Sequence, residues 1–175
     1  MPTFTQIGTA QVVGAGGASS IDFTAIPSTY TDLVVKISAR GSTAGINAGL
    51  YWTFNGSSAA NYSWRQLQGN SSAASSSSAT AQTYFRAGYI PDTSATASTF
   101  GSAELYIPNY AGSTAKSISI DSGQENNSST AGEALLHLVA ANWSLTNAIT
   151  QITVVPSSGT FLQYSTAYLY GVSNA

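Results

Sequence analysis

The chain has 175 residues, a formal net charge of −2, five Lys/Arg, seven Asp/Glu, one histidine and no cysteine. That length makes one domain the default, with about two-thirds of the unfolded surface buried. The lack of cysteine excludes disulfides and thiolate metal sites. The few scattered basic residues argue against nucleic acid as a partner, and no run approaches the ~18–20 apolar residues of a membrane-spanning helix.

Residues 3–13 alternate weakly through Phe4, Ile7, Val12 and Val13, which predicts an edge strand or an extended arm. Gly14 to Ser20 is a flexible Gly/Ala/Ser turn, so residues 1–20 read as an arm and turn, and residues 21–175 as a single domain. The opening MPTFTQIGTAQVVGAGG has neither the positive n-region nor the continuous apolar stretch of a secretory signal. Ile21 to Phe23 is a short strand, and Pro27, which cannot donate to a ladder, follows it. Leu33 to Arg40 is the clearest alternation. Leu33, Val35, Ile37 and Ala39 fall on one face, and Val34, Lys36, Ser38 and Arg40 on the other, as in a half-buried strand.

Leu50, Trp52 and Phe54 continue the pattern up to the turn signal Asn55-Gly56. Tyr62 to Gln68 reads as the strand returning from that turn, with Tyr62, Trp64 and Gln66 facing opposite to Ser63, Arg65 and Leu67. Residues 69–81, GNSSAASSSSATA, offer almost no apolar surface and read as a mobile surface loop. Thr83 to Ile90 is a strand closed by Pro91. In residues 103–124, Leu105/Ile107 and Ile118/Ile120 mark two strands around Pro108–Ser113, a β-hairpin or short β-arch at the centre of a sheet. Ala134 to Trp143 (ALLHLVAANW) is continuously apolar and short, which predicts a strand buried on both faces rather than a helix. Ile149 to Val155 and Phe161 to Val172 complete roughly ten strands with no convincing helix. The expected class is all-β, an antiparallel two-sheet sandwich of jelly-roll type.

Little in the chain suggests catalysis. His137 lies inside LLHLV with no Gly-x-Ser-x-Gly elbow in the chain, so a structural, hydrogen-bonded role is expected. The acids Asp22, Asp32, Asp92, Glu104, Asp121, Glu125 and Glu133 are dispersed, mostly beside turns. Asp121 to Glu133 is one residue too long for a calcium loop and has Asn126 where glycine is required. Gly14 to Gly17 lacks the spacing of a phosphate cradle. No cofactor or metal is implied. The Asn-x-Ser triplets at Asn55, Asn61, Asn70, Asn126, Asn127 and Asn142 are those expected by chance in so serine-rich a chain.

The charged fraction is 7%, against about 25% in ordinary soluble domains. Such a surface suits a protein covered by copies of itself or by a scaffold. The stretch Tyr51, Trp52, Tyr62, Trp64 and Arg65 is the candidate sugar-stacking surface, with core or interface packing as the competing role. Tyr164, Tyr168 and Tyr170 are candidates for subunit contacts.

Five phrases in order, FTAIPSTYTDLVVKISARG (23–41), TFNGSSAANYSWRQLQG (53–69), ELYIPNYAG (104–112), ITQITVVPSSGTF (149–161) and QYSTAYLYGV (163–172), resemble a family of tailed-bacteriophage virion surface proteins. Its members occur as capsid decoration proteins and as domains of head or tail fibres. The resemblance implies a jelly-roll-like sandwich without enzymatic activity, assembled as a homotrimer or on a virus particle with the major capsid protein or another virion component as partner. The expected location is the virion surface, reached by cell lysis after synthesis without a signal. Within that family, one compact domain with a short arm favours a capsid decoration, or cement, protein. A fibre module that recognises host glycans is the alternative.

Overall fold

Every second side chain of Lys116–Gln124 and of Leu135–Trp143 is buried, the period of two that a sheet with one covered face imposes. A computed structural model, describing residues 1–70, 72–130 and 132–173, extends that rule over thirteen strands. They are β1 (Thr3–Gln6), β2 (Gln11–Val12), β3 (Ile21–Phe23), β4 (Asp32–Ala39), β5 (Asn47–Phe54), β6 (Tyr62–Asn70), β7 (Ala74–Gln82), β8 (Phe85–Pro91), β9 (Gly101–Ile107), β10 (Lys116–Gln124), β11 (Leu135–Trp143), β12 (Ile152–Pro156) and β13 (Thr166–Ser173). A nine-stranded antiparallel sheet runs β1-β13-β4-β9-β10-β11-β6-β7, with β2 also on β13, and a four-stranded one runs β3-β12-β5-β8. The predicted two-sheet sandwich is the architecture observed. The β9–β10 hairpin holds the centre of the larger sheet, as its pattern indicated.

The two sheets clamp one apolar core. Trp52 and Phe54 of β5, Phe85 of β8, Tyr62 of β6 and Trp143 of β11 are almost fully buried. Their rings meet at 5.4–6.5 Å between centroids. Each such side chain contributes about 1.5–3 kcal/mol by leaving water, and tilted pairs add to this. The Tyr62 hydroxyl accepts from the Phe54 amide at 2.8 Å, which ties one sheet to the other.

Several expectations are corrected. Tyr62–Asn70 does not return beside β5. That strand pairs with β12 and β8, whereas β6 pairs with β11 and β7. Asn55 and Gly56 do turn, with φ of 52° and 64°, but Asn55 Oδ1 accepts from the amides of Thr150 and Gln151. The turn is thus pinned to the loop before β12, and the chain crosses to the other sheet to put Tyr62 into the aromatic core.

The described part of residues 69–81, which leaves out Ser71, is not a mobile loop. Asn70 Oδ1 accepts from the amides of Ser72 and Ala73, and the tight turn so made sends β7 back along β6. Backbone pairing makes a strand here although serine and alanine give no apolar period. The arm reading also fails for residues 3–12. β1 and β2 both pair with β13, leaving the edge-strand alternative. Finally, β11 is buried on one face only, with Leu136 and Leu138 60% and 54% exposed. Asn174 and Ala175, assigned to the domain from sequence, lie outside the described residues.

Candidate functional site

Two surfaces stand out, on opposite faces of the larger sheet. The first is its outer face, which the smaller sheet does not cover. Register places Tyr168, Lys36, Glu104, Asp121, Leu138 and Leu67 in one row across β13, β4, β9, β10, β11 and β6. The next row on one side holds Leu136 between Gly123 and Gly69. The next on the other sets Tyr170, Val34 and Tyr106 side by side. Val34 is 2% exposed although it points outward, because these two tyrosines flank it. Lys36 Nζ sits 2.7 Å from Glu104 Oε2, a solvent-exposed pair of little net worth. The β6–β11 end has no such polar cover. Leu67 is 53% exposed opposite Leu138, with Leu136 one row on. Arg65 lies one row from Leu67 on the same face.

The second surface lies where the smaller sheet stops at β8 and the inner face of the larger sheet continues to β6 and β7. Arg86 leans over this margin. Its guanidinium carbon is 4.8 Å from the centre of the Trp64 ring and 5.4 Å from that of Tyr89. Tyr89 in turn stacks on His137 at 4.7 Å. Tyr51, directly opposite Arg86 on β5, stacks on Tyr84 at 4.0 Å. Gly49 is what leaves room, since a Cβ there would stand 3.3 Å from Arg86 Cδ. Gln66 and Gln68 share the Trp64 face of β6 and stand opposite Ser77 and Ser75 of β7.

Of the sequence candidates, Trp52 and Tyr62 belong to the core and offer no surface. Tyr51 and Trp64 flank Arg86 at the margin, while Arg65 is on the opposite face beside the leucines. Tyr168 and Tyr170 stack at 6.4 Å on the outer face, and Tyr164, 69% exposed with φ of 72°, lies in the turn before β13. Sequence reasoning missed Arg86, Tyr89 and the three leucines. Strict alternation through β11 places Leu136 and Leu138 opposite His137 and Val139, and would have flagged them.

His137 is 1% exposed, and its Nε2 has no hydrogen-bond partner among the described residues, contrary to expectation. Burial first, and then the Arg86 charge, push its pKa down to about 4. Most acids accept bonds in or beside turns: Asp32 from the Tyr106 hydroxyl and the Asn109 amide, Asp22 from Ser20 and Thr153, Asp92 from the Thr43 amide, Glu125 from the Asn127 amide, and Glu133 from Thr96 and Asn126. Among the described residues no three His, Asp or Glu side chains gather as a metal-ligand set. Comparison of the chain with protein-family models, with curated proteins and with solved structures finds no match.

Proposed function

We propose that this chain is a non-enzymatic virion structural protein of a tailed bacteriophage, a capsid decoration protein that lies on the outer surface of the head. The observation that carries the reading is the uncovered face of the nine-stranded sheet, where Leu67, Leu136 and Leu138 adjoin one another more than half exposed. Contiguous exposed apolar residues on an otherwise polar protein mark a docking surface, and low charge is what the centre of an interface favours. The five phrases that resemble virion surface proteins, and a surface nearly without charge, support the same reading. Its partners are the major capsid protein or a neighbouring virion component and further copies of itself, as a homotrimer with Tyr164, Tyr168 and Tyr170 near the contacts.

The test uses heads that lack the protein. Wild-type chain should coat them and raise their resistance to heat, because a ligand stabilises the state it binds. Leu67→Thr/Leu138→Thr should fold nearly as stably as wild type, since both side chains are more than half exposed and threonine suits a strand, yet lose at least about tenfold in affinity. Undiminished coating by that variant, or no coating by wild type, would sink the proposal.

One observation favours a second reading, a head- or tail-fibre module that recognises host glycans. Half-buried aromatic side chains, Tyr51, Trp64 and Tyr89, gather around Arg86 at the sheet margin.

A further inference from the structure

The chain has five basic residues, Lys36, Arg40, Arg65, Arg86 and Lys116. Lys36 pairs with Glu104. Arg40 and Lys116 are 6% and 1% exposed, with their nitrogens on backbone carbonyls. Arg65 stands in solvent on the outer face. Arg86 differs from all of them. It lies against two aromatic rings, no carboxylate comes within ion-pair distance of it among the described residues, and its Nε is buried without a partner.

Contact with the Trp64 and Tyr89 rings restricts the guanidinium, and among the described residues its terminal N–H groups have no protein acceptor. A fork held in this way is pre-organised for a two-point bond to a planar anion, and little side-chain freedom remains to be lost on binding. Beside it, Gln68 of β6 and Ser75 and Ser77 of β7 form a row of amide and hydroxyl groups on the same sheet face, with the buried Gln66 donating from Nε2 to Gln68 Oε1. Such groups both donate and accept, as sugar hydroxyls require. Beneath Tyr89, the buried His137 has an Nε2 without a partner among the described residues, at the floor of this margin.

We propose that the margin between β8 and β6–β7 is a binding site for an acidic polysaccharide. The carboxylate of a uronic-acid unit bridges the Arg86 fork, and the neighbouring hydroxyls meet the row of Gln68, Ser75 and Ser77. The site rests on the glycan-recognition reading and narrows it to carboxylated sugars. It lies on the face of the sheet opposite the exposed leucines, so it stays open when those leucines are docked.

The experiment follows tryptophan emission. Trp52 and Trp143 are sealed in the core, so a ligand at the margin reports through Trp64. The 175-residue chain is titrated with an oligogalacturonate, a neutral maltooligosaccharide of equal length, poly-glutamate and sodium acetate. The oligogalacturonate should change the emission saturably and raise the thermal midpoint, whereas the other three should do neither at the same concentration. Arg86→Gln should weaken oligogalacturonate binding by at least about tenfold, the usual scale for a lost charge-assisted pair. Gly49→Val, which presses on Arg86 Cδ without removing the charge, should weaken it as well. If neutral and acidic sugars bind alike and Arg86→Gln changes nothing, the acidic site is overturned while glycan recognition stands. Equal binding of poly-glutamate overturns the choice of a sugar. If no sugar binds, both readings fall. Should Arg86→Gln not fold, the wild-type ligand series and Gly49→Val still decide.

Discussion

At the scale of residues, two buried polar groups do the work that disulfides do elsewhere. Arg40 donates to the carbonyls of Thr96 and Thr99 at 2.8 Å each, of Asp92 at 2.8 Å and of Ala95 at 3.0 Å, so one side chain gathers the whole β8–β9 connection. Lys116 does the same for the β9–β10 turn through Gly112 at 2.6 Å and Thr114. Replacing either with an apolar residue strands several carbonyls away from water. Arg40→Leu should therefore cost about 3 kcal/mol, read as a fall in the urea midpoint. A change within error would mean that the loop finds water instead. His137 gives a pH dependence. Its pKa in the fold is about 4, whereas in the unfolded chain it is about 6.5. The unfolded state therefore binds the extra proton between those values. This contribution to stability is full above pH about 6.5 and is lost as the pH falls toward 4. His137→Phe, which keeps the stack on Tyr89, should show a flatter thermal midpoint between those pH values than wild type. Parallel curves would refute the assignment.

At the scale of elements, what could be read from sequence is what alternation controls. Leu33/Val35/Ile37, Leu105/Ile107 and Ile118/Ile120 all face the core as their spacing requires. Two kinds of fact were hidden. One is a strand without an apolar period. β7 is exposed along nearly all its length and exists because β6 offers it a ladder. The other is the choice of partner. The Asn55-Gly56 turn is local chemistry, but where β6 goes is decided by Tyr62 joining Trp143 and Phe85 across the core. The surfaces were less legible than the fold. Tyr51 and Trp64 were named, whereas Arg86 takes its meaning from neighbours on β5, β6 and β11 that lie far from it in sequence. The N-terminal strands supply a test. All four residues of β1 are exposed, whereas Val13 is buried and Ile7 packs against the core. Removing residues 1–6 should leave stability nearly unchanged, and removing 1–13 should cost about 2 kcal/mol more from lost apolar burial. Equal denaturant midpoints for the two truncations would contradict this packing.

At the scale of the whole molecule, the smaller sheet packs on one face of the larger and covers only part of it. The other face of the large sheet is therefore bare, and the shortfall leaves a margin of the covered face accessible. The expected assembly follows from the bare face and its tyrosines. Light scattering on purified chain should give a mass above that of the 18.0 kDa monomer, with a trimer as the expected species. A monodisperse monomer at micromolar concentration would count against self-association.

The pairing of the first strand with the last has a mechanical consequence. Thr3 stands opposite Ser173 and Gln6 opposite Tyr170, so the two ends of the fold lie side by side and point the same way. Tension applied between them would not load this ladder as a whole. Antiparallel bonds run across the strands, and pulling from adjacent ends breaks them one after another, as a zipper opens, at low force. A domain joined to its surroundings through both ends would yield there first, with β1 peeling away before the core is strained. A domain held by the broad face of its sheet would take the same load over many contacts at once.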